Sequence, residues 1–408
     1  MNKKKIAEAV EKNLPAAVDL LAGLIRIPST RGEGKEATWF LEQQIRPFAD
    51  STELVVMPES ILSDPDYAFK LDQFKYDGAA NVRVKLSGAG RGKTLAFNTH
   101  QDVVPPSIGQ ENAYQPYILD EKIFGRGAND AKGQIATLWL MVKAMHDLGV
   151  KPGGDITIDF VLEEECGGNG ALLVVRNGLK ADAAVICEPT ELQVVHLVRG
   201  AVWFTVETHG KEGHSGSPGT TVSALKEAVR AMEAIEGVRE KLLAVSRKEI
   251  ANIHDHPNPT PLTFGMLHSG NWPAATPNQA LLKGVFGFLP PFKREDIQKE
   301  LTGAVGQLRG EIRYDMLNNN SSYVEESHPL VQTLLAAAHA AGIDSKPEFM
   351  NAACDAWRYT EQLQIPAVVF GGGSITSAHA KNENISFADL KKAATTLILF
   401  IEQWSGLK

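Results

Sequence analysis

Two periodicities alternate along the chain. Apolar positions three or four apart, with charged residues between them, predict helices over 3–13, 15–27 and 34–48. The second opens at Pro15, whose missing N–H is tolerated in the first turn of a helix. A period of two follows: Val82, Val84 and Leu86 alternate and predict a strand over 81–86, while 94–98 is apolar on both faces and predicts a central strand. Helical periodicity returns over 131–148, and 156–162 and 183–187 are short buried runs. Strands and helices in alternation predict an α/β domain with a mostly parallel sheet.

The texture changes after Arg199-Gly200. Residues 201–208 alternate like a half-exposed strand, 220–236 like an amphipathic helix, 262–268 and 280–288 like strands, 294–308 like a helix and 311–317 like a last strand. That β-α-β-β-α-β order predicts a small α+β unit of ferredoxin-like type, inserted into the larger domain. From about residue 328 the α/β style resumes, with a helix to 341, a buried strand at 367–370 and a final helix capped by Ser386 with Asp389 three residues on. The expected division is a catalytic domain from 1–198 and 326–408 around an inserted domain of 199–325.

Composition narrows the partners. At 408 residues the chain exceeds what one core usually holds, and 43% hydrophobic with 22% charged is ordinary globular composition. A net charge of -8 and a pI near 5.8, without long acidic blocks, argue against nucleic acid or an anionic membrane and for small-molecule chemistry. The basic start Met1-Asn2-Lys3-Lys4-Lys5 leads into mixed residues rather than the apolar core of a signal peptide, and no stretch approaches the ~20 apolar residues of a membrane span. Cys166, Cys187 and Cys354 are odd in number with no CxxC spacing, which reads as reduced thiols in a cytoplasmic protein.

Five segments carry candidate chemistry: His100 and Asp102 at the end of the 94–98 strand; Asp130 in Gly125-Arg126-Gly127-Ala128-Asn129-Asp130-Ala131-Lys132-Gly133; Glu163-Glu164-Glu165; Glu188 before Pro189-Thr190; and His379 after Gly371-Gly372-Gly373-Ser374. Each follows an apolar strand or a glycine-rich turn, and in an open α/β sheet such positions converge on one crevice. A lone His at a strand end is more often a hydrogen-bonded structural residue, and a lone Asp in a glycine-rich turn is more often a cap. The triple Glu is different, because three consecutive carboxylates at the end of a buried strand repel one another unless a cation or a raised pKa compensates. Two imidazoles with three carboxylates suit zinc or a similar divalent ion, and a shared carboxylate lets two ions sit ~3.5–4 Å apart.

Together these segments resemble the co-catalytic zinc hydrolases that include acetylornithine deacetylase, succinyl-diaminopimelate desuccinylase, aminoacylase and glutamate carboxypeptidase. The resemblance spans essentially the whole chain and implies two zinc ions, with cobalt as a substitute. It implies His100, Asp130, Glu165, Glu188 and His379 as metal ligands, Asp130 bridging. Asp102 is then the orienter of His100, and alignment on Gly167 makes Glu164 the general base. His214, in Gly213-His214-Ser215-Gly216, matches an inserted-domain histidine that in dimeric relatives reaches into the partner's active site, which implies a homodimer through that lid.

The implied activity is hydrolysis of the amide bond of an N-acyl amino acid, with a carboxypeptidase or dipeptidase as the alternative and a non-catalytic metal-dependent binding protein as the alternative of another class. The stretch Gly270-Asn271-Trp272-Pro273 departs from the relatives' pattern, and Gly287-Phe288-Leu289-Pro290 lacks an Arg found there. Arg358, one residue later than the usual D-x-R, is the candidate cation for a substrate carboxylate. Trp272 and Trp357 either line an apolar pocket or pack in the core. Cys166 and Cys187 flank proposed ligands, but strand neighbours point to opposite faces, and the carboxylates are preferred.

Overall fold

The computed structural model describes residues 3–71, 73–216, 219–250, 253, 255–314 and 317–408. The first half supplies strands β1 (Ser51–Val56), β2 (Ala80–Leu86), β3 (Leu95–His100), β4 (Ile156–Val161), β5 (Ala183–Ile186) and β6 (Val194–Val198). Next come β7 (Gly200–His209), β8 (Leu262–Ser269), β9 (Gln279–Phe288) and β10 (Gly310–Arg313). The chain returns with β11 (Ser322–Tyr323), β12 (Pro347–Met350) and β13 (Ala367–Val369). Nine strands form one sheet in the order β1-β2-β4-β3-β5-β13-β6-β11, with β12 also on β6. At its centre β4, β3, β5 and β13 run parallel, and β1, β2 and β11 make antiparallel margins. All six residues of β3 are buried, as the apolar run predicts. The chain leaves β3 for β4 on one side and later reaches β5 on the other, so a crevice opens at the carboxyl end of β3.

Helices α1 (Lys3–Arg26), α2 (Lys35–Ile45), α3 (Lys132–Leu148), α4 (Asn169–Arg176), α5 (Ala224–Glu249), α6 (Arg294–Val305), α7 (Pro329–Ala340) and α8 (Phe387–Trp404) complete the chain. Phe97 of β3 joins Ile6, Leu21, Leu138 and Phe400 in a core on one face of the sheet, whereas its neighbour Ala96 joins Val174, Tyr359 and Val369 on the other. Burial on both faces explains the unbroken apolar strands. One helical prediction changes: α1 runs through Pro15 instead of restarting there. Pro15 removes one intrahelical hydrogen bond, and the buried stripe of Val10, Leu14, Val18 and Leu21 against α3 and α8 holds the helix together across it.

The inserted unit is a five-stranded antiparallel sheet, β8-β9-β7-β10 with the short strand Asn318–Asn319 also on β7, and α5 and α6 pack on it through Phe204, Ile235, Phe286, Ile297 and Leu301. This is the ferredoxin-like arrangement. Helix α5, capped by Ser223, extends to Glu249 rather than stopping at 236. β10 stops at Arg313 rather than 317, and 315 and 316 lie outside the described residues. Because β11 already pairs with β6 in the large sheet, the chain recrosses a few residues before 326. Asp66 ties the two units, its carboxylate 2.7 Å from Arg294 of α6 and 2.7 Å from Arg176 of α4.

Candidate metal centre

The parallel strands deliver their carboxyl ends to one place. His100 ends β3, Glu164 and Glu165 follow β4, Glu188 follows β5, His379 lies on the loop after β13, and Asp130 sits in the turn before α3. His100 Nδ1 lies 2.9 Å from the main-chain carbonyl of Asp102, which fixes the proton on Nδ1 and leaves the Nε2 lone pair free to ligate. That Nε2 is 2.9 Å from Asp130 Oδ1 and 3.7 Å from Glu188 Oε2. On the other side His379 Nε2 is 2.9 Å from Glu165 Oε1 and 3.4 Å from Asp130 Oδ2. The carboxylate of Asp130 therefore faces one imidazole with each oxygen. All six residues implied for the ions and the proton transfer come together.

The donor set fits a metal. Atoms of His100, Asp130 and Glu165 lie within 4.8 Å of one another. Glu188 is buried, yet its Oε1 has no hydrogen-bond partner among the described residues, an orphaned anion that a cation would satisfy. Burial raises the Glu188 carboxyl to about 7 and pushes Glu164 well above its ordinary range, the latter helped by Glu188, Asp355 and Glu165 nearby. Burial acts to lower the His100 pKa, but Glu188, Asp102 and Asp130 around the ring carry it well above the ordinary histidine value. Hydrogen bonds to Asp130 and Glu165 raise His379 to about 10. A metal needs these imidazoles neutral and these carboxylates ionised, so its binding is coupled to proton release.

Asp102 does more than the sequence reading assigned it. The acceptor of the His100 Nδ1 proton is the Asp102 main-chain carbonyl, with the Asp102 carboxylate Oδ1 3.6 Å from Nδ1. The carboxylate accepts the backbone N–H groups of Glu164 (3.1 Å) and Glu165 (3.2 Å), and so shapes the turn that presents both side chains. The three consecutive glutamates divide their work. Glu163, at a φ of 58°, turns away from the site and is compensated by Arg31 (3.0 Å), the Tyr76 hydroxyl (2.7 Å) and Asn169 (2.8 Å).

Several supporting residues lay inside the motifs without a role. Glu383 is buried, its Oε1 accepting the N–H groups of Asn129 and Asp130 at 3.0 Å each and its Oε2 paired with Arg126 at 2.7 Å. The Lys132 ammonium is fully buried and donates to the carbonyls of Leu24 (2.8 Å) and Ile27 (2.9 Å), and burial lowers its pKa to about 7. Asp355, also buried, brings a further carboxyl beside Gly168, and burial raises it to about 6. The signal for these residues was available only as polar positions within glycine-rich or apolar segments.

Two candidates sit apart from the cluster. His214 is exposed in a short strand, Gly213–His214, paired with Ala275–Thr276 of the inserted unit, and its Nδ1 accepts from the Gly216 N–H. Arg358 is 1% exposed, donates to the carbonyls of Gly167 (3.0 Å) and Asp66 (3.3 Å), and lies over the Trp357 ring. Trp357 is core, while Trp272 is 69% exposed.

Known proteins are similar in sequence and share this fold. Acetylornithine deacetylase of Myxococcus xanthus is 27% identical over 356 residues, covering 83% of this chain and 89% of that one. Among solved structures, an M20 family metallo-carboxypeptidase from Sulfolobus solfataricus superposes with a TM-score of 0.74 at 18% identity, over 95% of this chain and 99% of that one. A Bacillus subtilis protein described as a dinuclear metal binding peptidase of the M20 family gives a TM-score of 0.64 at 12% identity, over 96% and 98%. Residues 96–403, a range that includes all six residues of the cluster, match Peptidase family M20/M25/M40: the chain belongs to this family of metal-dependent hydrolases.

Proposed function

We propose that the chain is a dinuclear zinc deacylase that removes the acyl group from a small N-acyl amino acid. The observation that carries this reading is the carboxylate of Asp130 set between His100 and His379, with Glu188 and Glu165 on the flanks and Glu164 beside them. Nitrogen and oxygen donors of this kind suit zinc, and cobalt in its place. Two ions held by these residues would supply an acidified water and a Lewis acid for the scissile carbonyl. Glu164 takes the proton of the attacking water and returns it to the leaving nitrogen. Asp102 keeps Glu164 in reach of that water by holding its backbone N–H.

Arg358 borders a hollow of about 530 Å³ between residues 65–70 and the lid, together with Lys70 and Arg294, and this supports its reading as part of the cation set for a substrate carboxylate. A homodimer through the lid is supported by β8, an outer strand whose Met266 (50%) and Leu267 (39%) are exposed. In that dimer His214 serves the partner's site. Three free cysteines agree with a cytoplasmic setting.

The test is turnover of N-acetyl and N-succinyl amino acids against a panel of dipeptides and N-blocked peptides, with zinc or cobalt supplied. Faster turnover of the acylated amino acids is expected. Preference for peptides transfers the assignment to a carboxypeptidase or dipeptidase, and no turnover of either panel removes both. Mixing Glu164→Gln and His214→Ala proteins tests the shared site: restored activity requires a partner's histidine, and a monomer in solution overturns the dimer.

A further inference from the structure

The ligands on either side of Asp130 differ in how their backbones are held. His100 ends β3, where it pairs with Val161 of β4, and Glu188 follows the end of β5 by two residues. Asp130 and His379 lie on two loops outside the sheet, and the His379 side chain is 50% exposed. These loops meet on one buried ion pair. Glu383 Oε1 accepts both N–H groups of the turn that carries Asp130, at 3.0 Å each. Its Oε2 pairs with Arg126 Nη1 at 2.7 Å, and both side chains are almost wholly buried. The other guanidinium nitrogen, Nη2, donates to the main-chain carbonyl of His379 at 3.3 Å, with Pro105 O, Ser107 Oγ and Gln110 Oε1 at 3.3–3.4 Å. One carboxylate thus holds the bridging ligand while its counter-ion holds the outer imidazole.

Resting on the dinuclear reading above, we propose that Glu383 and Arg126 are the positioning pair for the second metal position, the one formed by Asp130, Glu165 and His379. Neither side chain ligates. The short antiparallel ladder of 122–124 with 384–386 joins the far ends of the two segments, and the ion pair fixes the separation between the Asp130 turn and the His379 loop themselves. The charges matter as well as the hydrogen bonds, because a neutral group at 383 leaves the Arg126 guanidinium buried without its anion. Outer groups of this kind typically change metal affinity by about 10–100-fold.

The experiment counts zinc per chain after dialysis and titrates the second ion against a chelating dye, in the parent and in Glu383→Gln, Glu383→Asp and Arg126→Lys. The parent is expected to retain two ions. Glu383→Gln and Arg126→Lys are expected to retain one and to bind the second about 10–100-fold more weakly, and saturating zinc should restore kcat. Glu383→Asp, which keeps the charge, should recover part of the lost affinity. Two ions at parental affinity in Glu383→Gln or in Arg126→Lys overturn the positioning role and leave the dinuclear reading intact. Fewer than two in the parent overturns the dinuclear reading itself. If one variant does not fold, the others still decide, and equal loss of both ions in a folded variant counts against the proposal.

Discussion

The two halves of the metal centre are made of the same residue types on different backbones. One half, His100 and Glu188, grows from the ends of central parallel strands and is 1% and 5% exposed. The other, Glu165 and His379, stands on turns, with the imidazole half in solvent. The difference teaches where precision comes from: a strand end inherits its position from the sheet, whereas a loop must obtain it from side chains. Asp102, Arg126 and Glu383 supply that positioning here.

The comparison can be broken at several points. The largest effect is expected from removing ligands. His100→Ala should lose the strand-borne ion and fall to background activity with its fold intact, whereas His379→Ala should keep that ion and lose only the other. Metal content after dialysis, with circular dichroism for the fold, checks both, and two tightly held zinc ions in His100→Ala would refute the assignment. Glu164→Gln should keep both ions and lose about 10²–10⁴-fold in kcat, since it removes a proton carrier and no ligand.

A smaller effect separates the neighbouring glutamates. Glu163→Gln leaves Arg31 without its anion and should cost about 3 kcal/mol of stability, read by chemical denaturation, while two ions remain bound. Last comes pH. The folded metal-free protein holds the His379 proton up to about 10, against an ordinary value near 6.5. A folded-state pKa raised in this way gives a contribution that is complete below the ordinary value and is lost as pH rises through about 10. The thermal midpoint of the metal-free parent should therefore exceed that of metal-free His379→Asn on the acid side of this window and converge with it on the alkaline side. Equal offsets on both sides would place the raised pKa elsewhere.

Much of this was legible in the residues. The fully apolar run before His100 announces a central strand, and strand ends in a parallel sheet announce a crevice, so the candidate residues could be picked out from local patterns, while their roles as ligands came from the resemblance. The outer sheet was harder. β1 has no clean alternation of burial, and β6 carries His196, a buried ring whose Nδ1 meets the Val324 carbonyl at 2.7 Å. The support of the site was hidden for another reason. Arg126 and Glu383 are 257 positions apart, and nothing in either local segment says that they meet. The use of Asp102's main chain, rather than its carboxylate, for the His100 ring is likewise a matter of atoms and not of residue type.

Lys132 joins the first helix to the chemistry. Its ammonium lies two residues beyond Asp130 and is held by carbonyls at the end of α1 and just beyond it. An N-terminal helix that looks like packing is thus the floor of the catalytic turn. A shortened protein beginning after Ile27 would leave a buried cation under that turn with no oxygen to hold it, so tolerance of the nine-stranded sheet to such trimming would say nothing about tolerance of the metal centre.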